Sequence, residues 1–380
     1  MKIFGIYSIL FFLLFAHIQL SIAQESKLNY QIILETKGEY NLIDENSRVN
    51  PDNWMKLNEF SSLSQLFPIL ELKDTWGNLG AKLQAEANIQ NYNFAKDSTN
   101  FSFQELYTQL EFKGKHFFVF GKKRLDWGTG MIWNPTNFFI QKDPVRIQNR
   151  LEGIFMLTYS YLFGQNTLSF YVFPEKKGKD FKAAIKYDYS KERVDVSFSF
   201  LEYGRNQQFG YDISYGGDLF TAYSEGVLKN YTKSFIVDND GTLIPPQSRS
   251  KKFRSEFVLG TTIIFNSNLS FSGEYRFRED YLNKNDIKHY KKYLPGNIEL
   301  FDPLSMGKHS LFGNLEYKDT YARWSVNLRS FYDISSNQLA ISPVGILSLN
   351  NLQIELTSML YNNSIAIYDL QTSLLVSCFF

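Results

Sequence analysis

Apolar and polar residues alternate with a period of two along most of this 380-residue chain. Between Leu79 and Ile89 the apolar set is Leu79, Ala81, Leu83, Ala85, Ala87 and Ile89, with Lys82, Gln84, Glu86 and Asn88 between them. Successive side chains of a strand point to opposite faces, whereas a helix would not separate the sets this way, so the segment reads as a strand with one apolar face. The same design recurs where Phe181, Ala183, Ile185, Tyr187 and Tyr189 oppose Lys182, Lys186 and Asp188. It recurs again where Leu269, Phe271, Gly273, Tyr275 and Phe277 oppose Ser270, Ser272, Glu274, Arg276 and Arg278. At the end of the chain Leu370, Thr372, Leu374, Val376, Cys378 and Phe380 share one face, and Gln371, Ser373 and Ser377 the other.

Extended along the sequence, the pattern predicts strands near 28–40, 63–75, 79–90, 102–113, 116–126, 150–163, 167–174, 180–189, 194–203, 209–215, 219–229, 251–265, 269–281, 308–317, 322–333, 338–347, 352–361 and 367–380. Every second connection is short and turn-like, as at Trp76-Gly77-Asn78, Gly114-Lys115, Gly164-Gln165-Asn166, Asn266-Ser267-Asn268 and Asn350-Asn351. The long connections, 41–62, 127–149, 230–250 and 282–307, all fall on the other side. A sandwich with Greek-key crossovers would not sort its loops by parity. Most prolines lie in the long connections, where no ladder hydrogen bond is lost. Pro68 and Pro343 fit less comfortably, and the reading around 338–347 allows a bulge or a count off by two strands.

The expected architecture is therefore all-β, a closed antiparallel transmembrane β-barrel of about 18 strands (16 to 18), with short periplasmic turns and longer extracellular loops. Strands of nine to eleven residues with one apolar face suit a tilted crossing of the bilayer core. Lys2, the apolar run from Ile3 to Leu20 and Ser21-Ile22-Ala23 before Gln24 read as a signal peptide over 1–23, leaving 24–380 as the barrel. An uncleaved anchor helix is the alternative. Phe and Tyr number 35 and 24, yet mean hydropathy is −0.27 and charged residues are 21%, which suits strands with one lipid face and one polar face. No segment after the leader has the roughly 18 uninterrupted apolar residues of a membrane helix. The single cysteine, Cys378, excludes an intrachain disulfide framework and any cysteine metal cluster. A formal net charge of +1 gives no pointer to nucleic acid.

The last strand, with Leu374, Val376, Cys378 and the terminal Phe380, resembles the C-terminal strand of bacterial outer-membrane β-barrels. In those proteins the barrel-insertion machinery reads such an ending, so the resemblance implies that machinery and outer-membrane lipids as partners. A second resemblance lies in residues 121–144, GKKRLDWGTGMIWNPTNFFIQKDP. This stretch is similar to the G-K-x-R-x-x-W-G-x-G and N-P signature of a broad set of outer-membrane barrels that includes porin-like and alginate-export-like proteins. Lys122, Arg124, Asp126, Trp127, Gly128, Gly130, Asn134 and Pro135 occupy its motif positions. Gly128 and Gly130 permit positive φ and close backbone approach, and Asn134-Pro135 starts a turn. The resemblance covers about 25 residues, and beyond them the match is architectural.

The resemblance implies an outer-membrane porin-like channel for passive passage of small polar solutes. By similarity the third outer loop, 127–149, is expected to fold inward and constrict the pore. Lys142, Asp143, Arg146 and Arg150 would then add charge of both signs near the constriction, where a low-dielectric passage focuses fields. A solvated loop with its own salt bridges is the competing reading. The polar alternating positions Glu35, Lys37, Lys82, Glu86, Glu105, Glu111, Lys122, Arg124, Lys182, Lys186, Arg254, Glu256, Glu274, Arg276, Arg278, Asn327 and Arg329 are expected to face the lumen. A barrel of 16 to 18 strands is wide enough to leave an aqueous channel. A barrel for surface polysaccharide export or assembly, or one with a structural role and no open channel, is the alternative. Homo-oligomerisation is left open. His116, His289 and His309 lack the partners a catalytic site needs, so no enzyme, cofactor or metal is expected.

Overall fold

The computed structural model describes residues 27–46, 52, 59–74, 77–89, 98–138, 153–174, 182–204, 206–231, 236–237, 243–244, 249–280, 307–335, 337–362 and 368–380. Along 27–28, 72–74, 77–89, 98–102, 236–237, 243–244, 249–251 and at 368 the description is of backbone alone. The leader over 1–23 and the loop residues Lys142, Asp143, Arg146 and Arg150 lie outside the described residues.

The strands in chain order are β1 (Lys27–Ile43), β2 (Phe60–Asp74), β3 (Gly77–Ile89), β4 (Ser98–Phe112), β5 (His116–Lys123), β6 (Ile154–Phe163) and β7 (Asn166–Phe173). They continue as β8 (Lys182–Lys191), β9 (Val194–Tyr203), β10 (Asn206–Gly216), β11 (Phe220–Tyr231), β12 (Ile236–Val237), β13 (Leu243–Ile244) and β14 (Arg249–Ile264). The remainder are β15 (Leu269–Arg278), β16 (His309–Lys318), β17 (Trp324–Asp333), β18 (Gln338–Leu349), β19 (Leu352–Asn362) and β20 (Tyr368–Phe379). All but β12 and β13 belong to one antiparallel sheet; those two pair only with each other, a small ribbon that the alternation did not predict.

Each strand of the large sheet pairs with its neighbours in sequence, β11 passing directly to β14. The last strand, β20, pairs with β19 and also with β1, from Ile33↔Phe379 to Ile43↔Tyr368. The terminal residue extends that pairing, since Phe380 N–H donates to Ile32 O at 2.8 Å and Ile32 N–H to Phe380 O at 3.0 Å. First and last strands thus satisfy in each other the backbone groups that a free edge would leave bare. Tight turns on one side take left-handed backbone at Lys113, Glu192 and Asn350, matching the twist of the strands they join.

Two prolines are absorbed without a bulge. Leu328 pairs with Pro343 on one side, and on the other Ile341↔Leu360 and Val344↔Thr357 keep one register across the gap. Pro68 behaves alike, with Leu66↔Ala85 and Ile69↔Lys82 in a single register. The expectation of a bulge near 338–347 is therefore corrected: only local ladder bonds are lost where the N–H is missing. Register shifts occur instead at Lys82/Leu83, Lys229/Tyr231 and Leu42/Ile43.

The two faces of the large sheet differ in chemistry. Phe120, Phe155, Phe198, Leu228, Leu259, Val326, Leu328, Leu356 and Leu374 are exposed on the outer face. The inner face carries Glu225, Lys229, Glu274, Arg276, Arg278, Asn327 and Arg329, all buried. It also carries apolar residues in two clusters, Leu125, Trp127, Met156, Phe173, Ala184 and Leu201 in one, and Ile132, Trp133, Val258, Phe312, Phe331, Ala340 and Met359 in the other. In both, residues of the connection after β5 pack on inner residues of several strands. The core of the molecule is a loop against a wall.

Candidate functional site

The connection leaves β5 at Lys123 and its described part, 124–138, runs across the inner face of the sheet. Trp127 is the first anchor. Its indole is buried among Met156, Phe173, Ala184 and Leu201 and meets the Tyr171 ring edge-on at 5.1 Å. Next comes Glu225 of β11, fully buried, whose carboxylate accepts from Thr129 N–H and Gly130 N–H, both at 2.9 Å. It also accepts from Thr136 N–H at 2.7 Å and Thr136 Oγ1–H at 2.6 Å. Glu274 of β15 is the second carboxylate and accepts from Met131 N–H, from Ile132 N–H at 3.1 Å and from Trp133 N–H at 3.2 Å. Tyr223 of β11 donates its hydroxyl to the same group.

The backbone of the loop is shaped for this contact. Gly128 takes φ +81°, and a Cβ there would overlap Asn134 Oδ1 and both oxygens of Glu225. Gly130 does not take positive φ, which corrects the expectation; what it supplies is space, because a Cβ would overlap Trp133 O. On the wall, Gly260 of β14 pairs with Tyr223 on one side and Glu274 on the other. A Cβ at Gly260 would strike the Tyr223 ring, so the glycine lets that ring lie across β14 to reach the carboxylate. Buried carboxylates are costly unless hydrogen-bonded, and bonds to a charged group are the strong kind. The donors of the loop therefore offset the desolvation of the wall, and the wall fixes the loop.

Beyond Glu274 the loop reaches its far point. Trp133 meets Phe312 edge-on at 6.5 Å, with the Arg276 guanidinium 4.5 Å from its ring centroid. The chain then returns through buried Pro135 to Thr136, whose carbonyl accepts from Gln208 Nε2–H at 3.1 Å. Tyr231 in turn donates to Gln208 Oε1. Phe138 ends the described stretch against Tyr203 and Tyr231, with Lys182 Nζ 4.1 Å from the centre of the Tyr203 ring.

The positions anticipated from sequence fare unequally. Trp127, Gly128, Gly130, Asn134 and Pro135 are brought together as parts of the inward loop. Arg124 and Asp126 pair with each other at 2.9 Å, both about half exposed, just before it. Lys122 is a correction. It pairs in register with Phe155, which is exposed on the outer face, and its ammonium donates to Phe103 O at 2.6 Å. The inner lysine is Lys123, which donates to Gln109 Oε1 at 2.7 Å and lies 4.5 Å from the Tyr107 ring centroid. Leu374, Val376 and Cys378 lie opposite Gly38, Thr36 and Leu34, on the outer face, while Ser377 faces inward and donates to Glu35 Oε1 at 3.3 Å.

Of the expected lumen residues with described side chains, Glu35, Lys37, Glu105, Glu111, Lys182, Lys186, Arg254, Glu256, Glu274, Arg276, Arg278, Asn327 and Arg329 share the inner face by register. Lys186 pairs with Asp188 at 2.6 Å, and Lys229 with Glu256 at 2.7 Å and Asp280 at 3.3 Å. His116 and His309 are on the outer face, where their Nδ1 atoms sit 3.0 Å from Tyr159 Oη and 2.7 Å from Tyr275 Oη among other rings. His289 lies outside the described residues.

No family model matches the chain, and no curated protein matches it in sequence. Solved structures do match its fold. OccK11 (OpdR) of Pseudomonas aeruginosa superposes with a TM-score of 0.59 at 9% identity, covering 93% of this chain and 96% of that one. OccK7 (OpdD) of the same organism gives 0.58 at 10% identity, covering 94% and 99%, and a substituted form of OccD1 (OprD) gives 0.54 at 10%, covering 94% and 96%. At such identity the likeness speaks to fold alone, and the fold is that of a porin-like β-barrel.

Proposed function

We propose that this chain is an outer-membrane channel of porin type, a closed barrel of eighteen transmembrane strands through which small polar solutes pass down their concentration gradients. The observation that carries the reading is the contrast between the faces: a belt of exposed Phe, Leu and Val outside, and charged and amide side chains inside. That is the arrangement a barrel needs when lipid surrounds it and water fills it. In this reading 1–23 is the export signal, the strand ending in Phe380 is the insertion signal, and the turns at Gly114 and Asn350 face the periplasm. The loop that follows β5 narrows the lumen, with its inward course over 124–138 as support. Solutes would then pass between this loop and the wall formed by β20, β1 and β2, strands to which neither Glu225 nor Glu274 belongs.

Liposome swelling tests the proposal. Vesicles containing the purified chain from Gln24 onward should swell in iso-osmotic small sugars and amino acids, with rates falling steeply as solute size rises. Vesicles that stay as tight as protein-free controls in every solute would sink the channel reading. The weight would then pass to a structural or polysaccharide-assembly role.

A further inference from the structure

Glu225 and Glu274 are ordinary wall residues by position, yet together they hold the inward loop. We infer that they are positioning residues that set both the width and the ion selectivity of the passage, because the loop they hold also masks their charge. The inference rests on the channel reading above.

Six backbone N–H groups within 129–136 and two hydroxyls converge on the two carboxylates. Among the described residues neither carboxylate has an ion-pair partner. Their surroundings give no substitute for the loop. Glu225 stands directly opposite Asp212 of β10 and Val258 of β14, and like charges placed opposite each other repel. Glu274 stands opposite Gly260 of β14 and Phe312 of β16, with Tyr223 reaching it from β11. The next inner position on its own strand is Arg276, which lies against Trp133 of the loop. Lifting the loop would take away every one of these donors except the Tyr223 hydroxyl, and leave two carboxylates facing the water of the lumen beside Asp212. A released loop therefore means a wider passage whose wall is more negative.

Protonation separates the two consequences. A carboxyl that gains a proton is a weaker acceptor and brings an O–H that must be satisfied among donors, so acid loosens the loop and also removes the charge. Glutamine does the same at neutral pH. Gly128→Ala, whose Cβ would push between Asn134 and Glu225, loosens the loop and leaves both charges in place.

Single-channel recording with reversal potentials in a salt gradient reads both quantities. Expected are larger steps for the Glu225→Gln/Glu274→Gln double variant and for Gly128→Ala at neutral pH, with a reversal potential shifted toward cations for Gly128→Ala alone. Wild type acidified stepwise from neutral pH should show larger steps reversibly and no such cation shift. The inference is overturned if the wild-type step is the same in acid as at neutral pH, or if inserted variants keep the wild-type step and reversal potential. Should the variants fail to insert, the wild-type titration decides. A wild type that is silent at every pH overturns the channel reading itself, an outcome distinct from steps that ignore acid.

Discussion

Replacing Gly128 by alanine isolates the contact on which the inward course of the loop depends. The residue holds φ +81°, where an L side chain costs about 1–2 kcal/mol. The added Cβ also overlaps both oxygens of Glu225, so the carboxylate must withdraw from at least one of its four loop donors. A hydrogen bond to a charged group contributes about 1.5–3 kcal/mol. Taken at the middle of both ranges, these place the seated loop about 3–4 kcal/mol less favourably, and since 1.4 kcal/mol is tenfold, the unseated population should rise by roughly two to three orders of magnitude. A cysteine at Met131 in a Cys378→Ser background reports this, because in the seated state that residue is partly buried beside Glu274. Labelling by a membrane-impermeant maleimide should be slow with Gly128 in place and faster by about two to three orders of magnitude in the Gly128→Ala variant if exchange precedes labelling. Equal labelling rates in the two backgrounds, with both proteins folded by heat-modifiable gel mobility, would refute the reasoning.

Three further outcomes follow from the same geometry. Trp127→Ala removes a side chain buried among Met156, Phe173, Ala184 and Leu201, and should lower stability by about 3–5 kcal/mol in urea unfolding from lipid vesicles. Lys229→Ala leaves Glu256 and Asp280 without the ammonium that lies between them in a site 1% exposed, and should cost about 3–5 kcal/mol in the same assay. Just beyond β15, Lys252 donates to Glu279 at 2.6 Å and Ser255 N–H donates at 3.1 Å, which holds the Glu279 carboxyl below its usual range. A carboxylate whose folded pKa is depressed adds stability above its unfolded pKa and loses it as pH falls through the folded value. The stability difference between wild type and Glu279→Gln should accordingly be present at neutral pH and vanish in acid.

How far the molecule can be read from its sequence depends on where periodicity reaches. Segments such as Leu269 to Arg278 carry one polar and one apolar face, so position and direction of the side chains follow from a simple alternation. In β5 the run His116-Phe117-Phe118-Val119-Phe120 has no polar face, so parity is lost, and of the two lysines after it the sequence points to the wrong one as inward. Lys123 faces in and Lys122 out. Glu274 can be marked as inner, but its role cannot, since its partners lie 141 to 143 residues earlier in the chain. Glu225 escapes notice for the same reason, with partners 89 to 96 residues away. One signal is available. Val258, Phe312, Phe331, Ala340 and Met359 are apolar residues at inner positions, which makes little sense in a wall facing only water. They mark where Ile132 and Trp133 cover it.

The central claim is that a conducting barrel carries a loop seated across its interior. It is tested most directly by recording unitary conductance from wild type beside a chain in which 129–136 is replaced by a short Gly-Ser linker. The account predicts stable steps from both, with the larger step from the chain lacking the loop. Equal steps from the two would contradict the seated loop, and silence from both would contradict the channel.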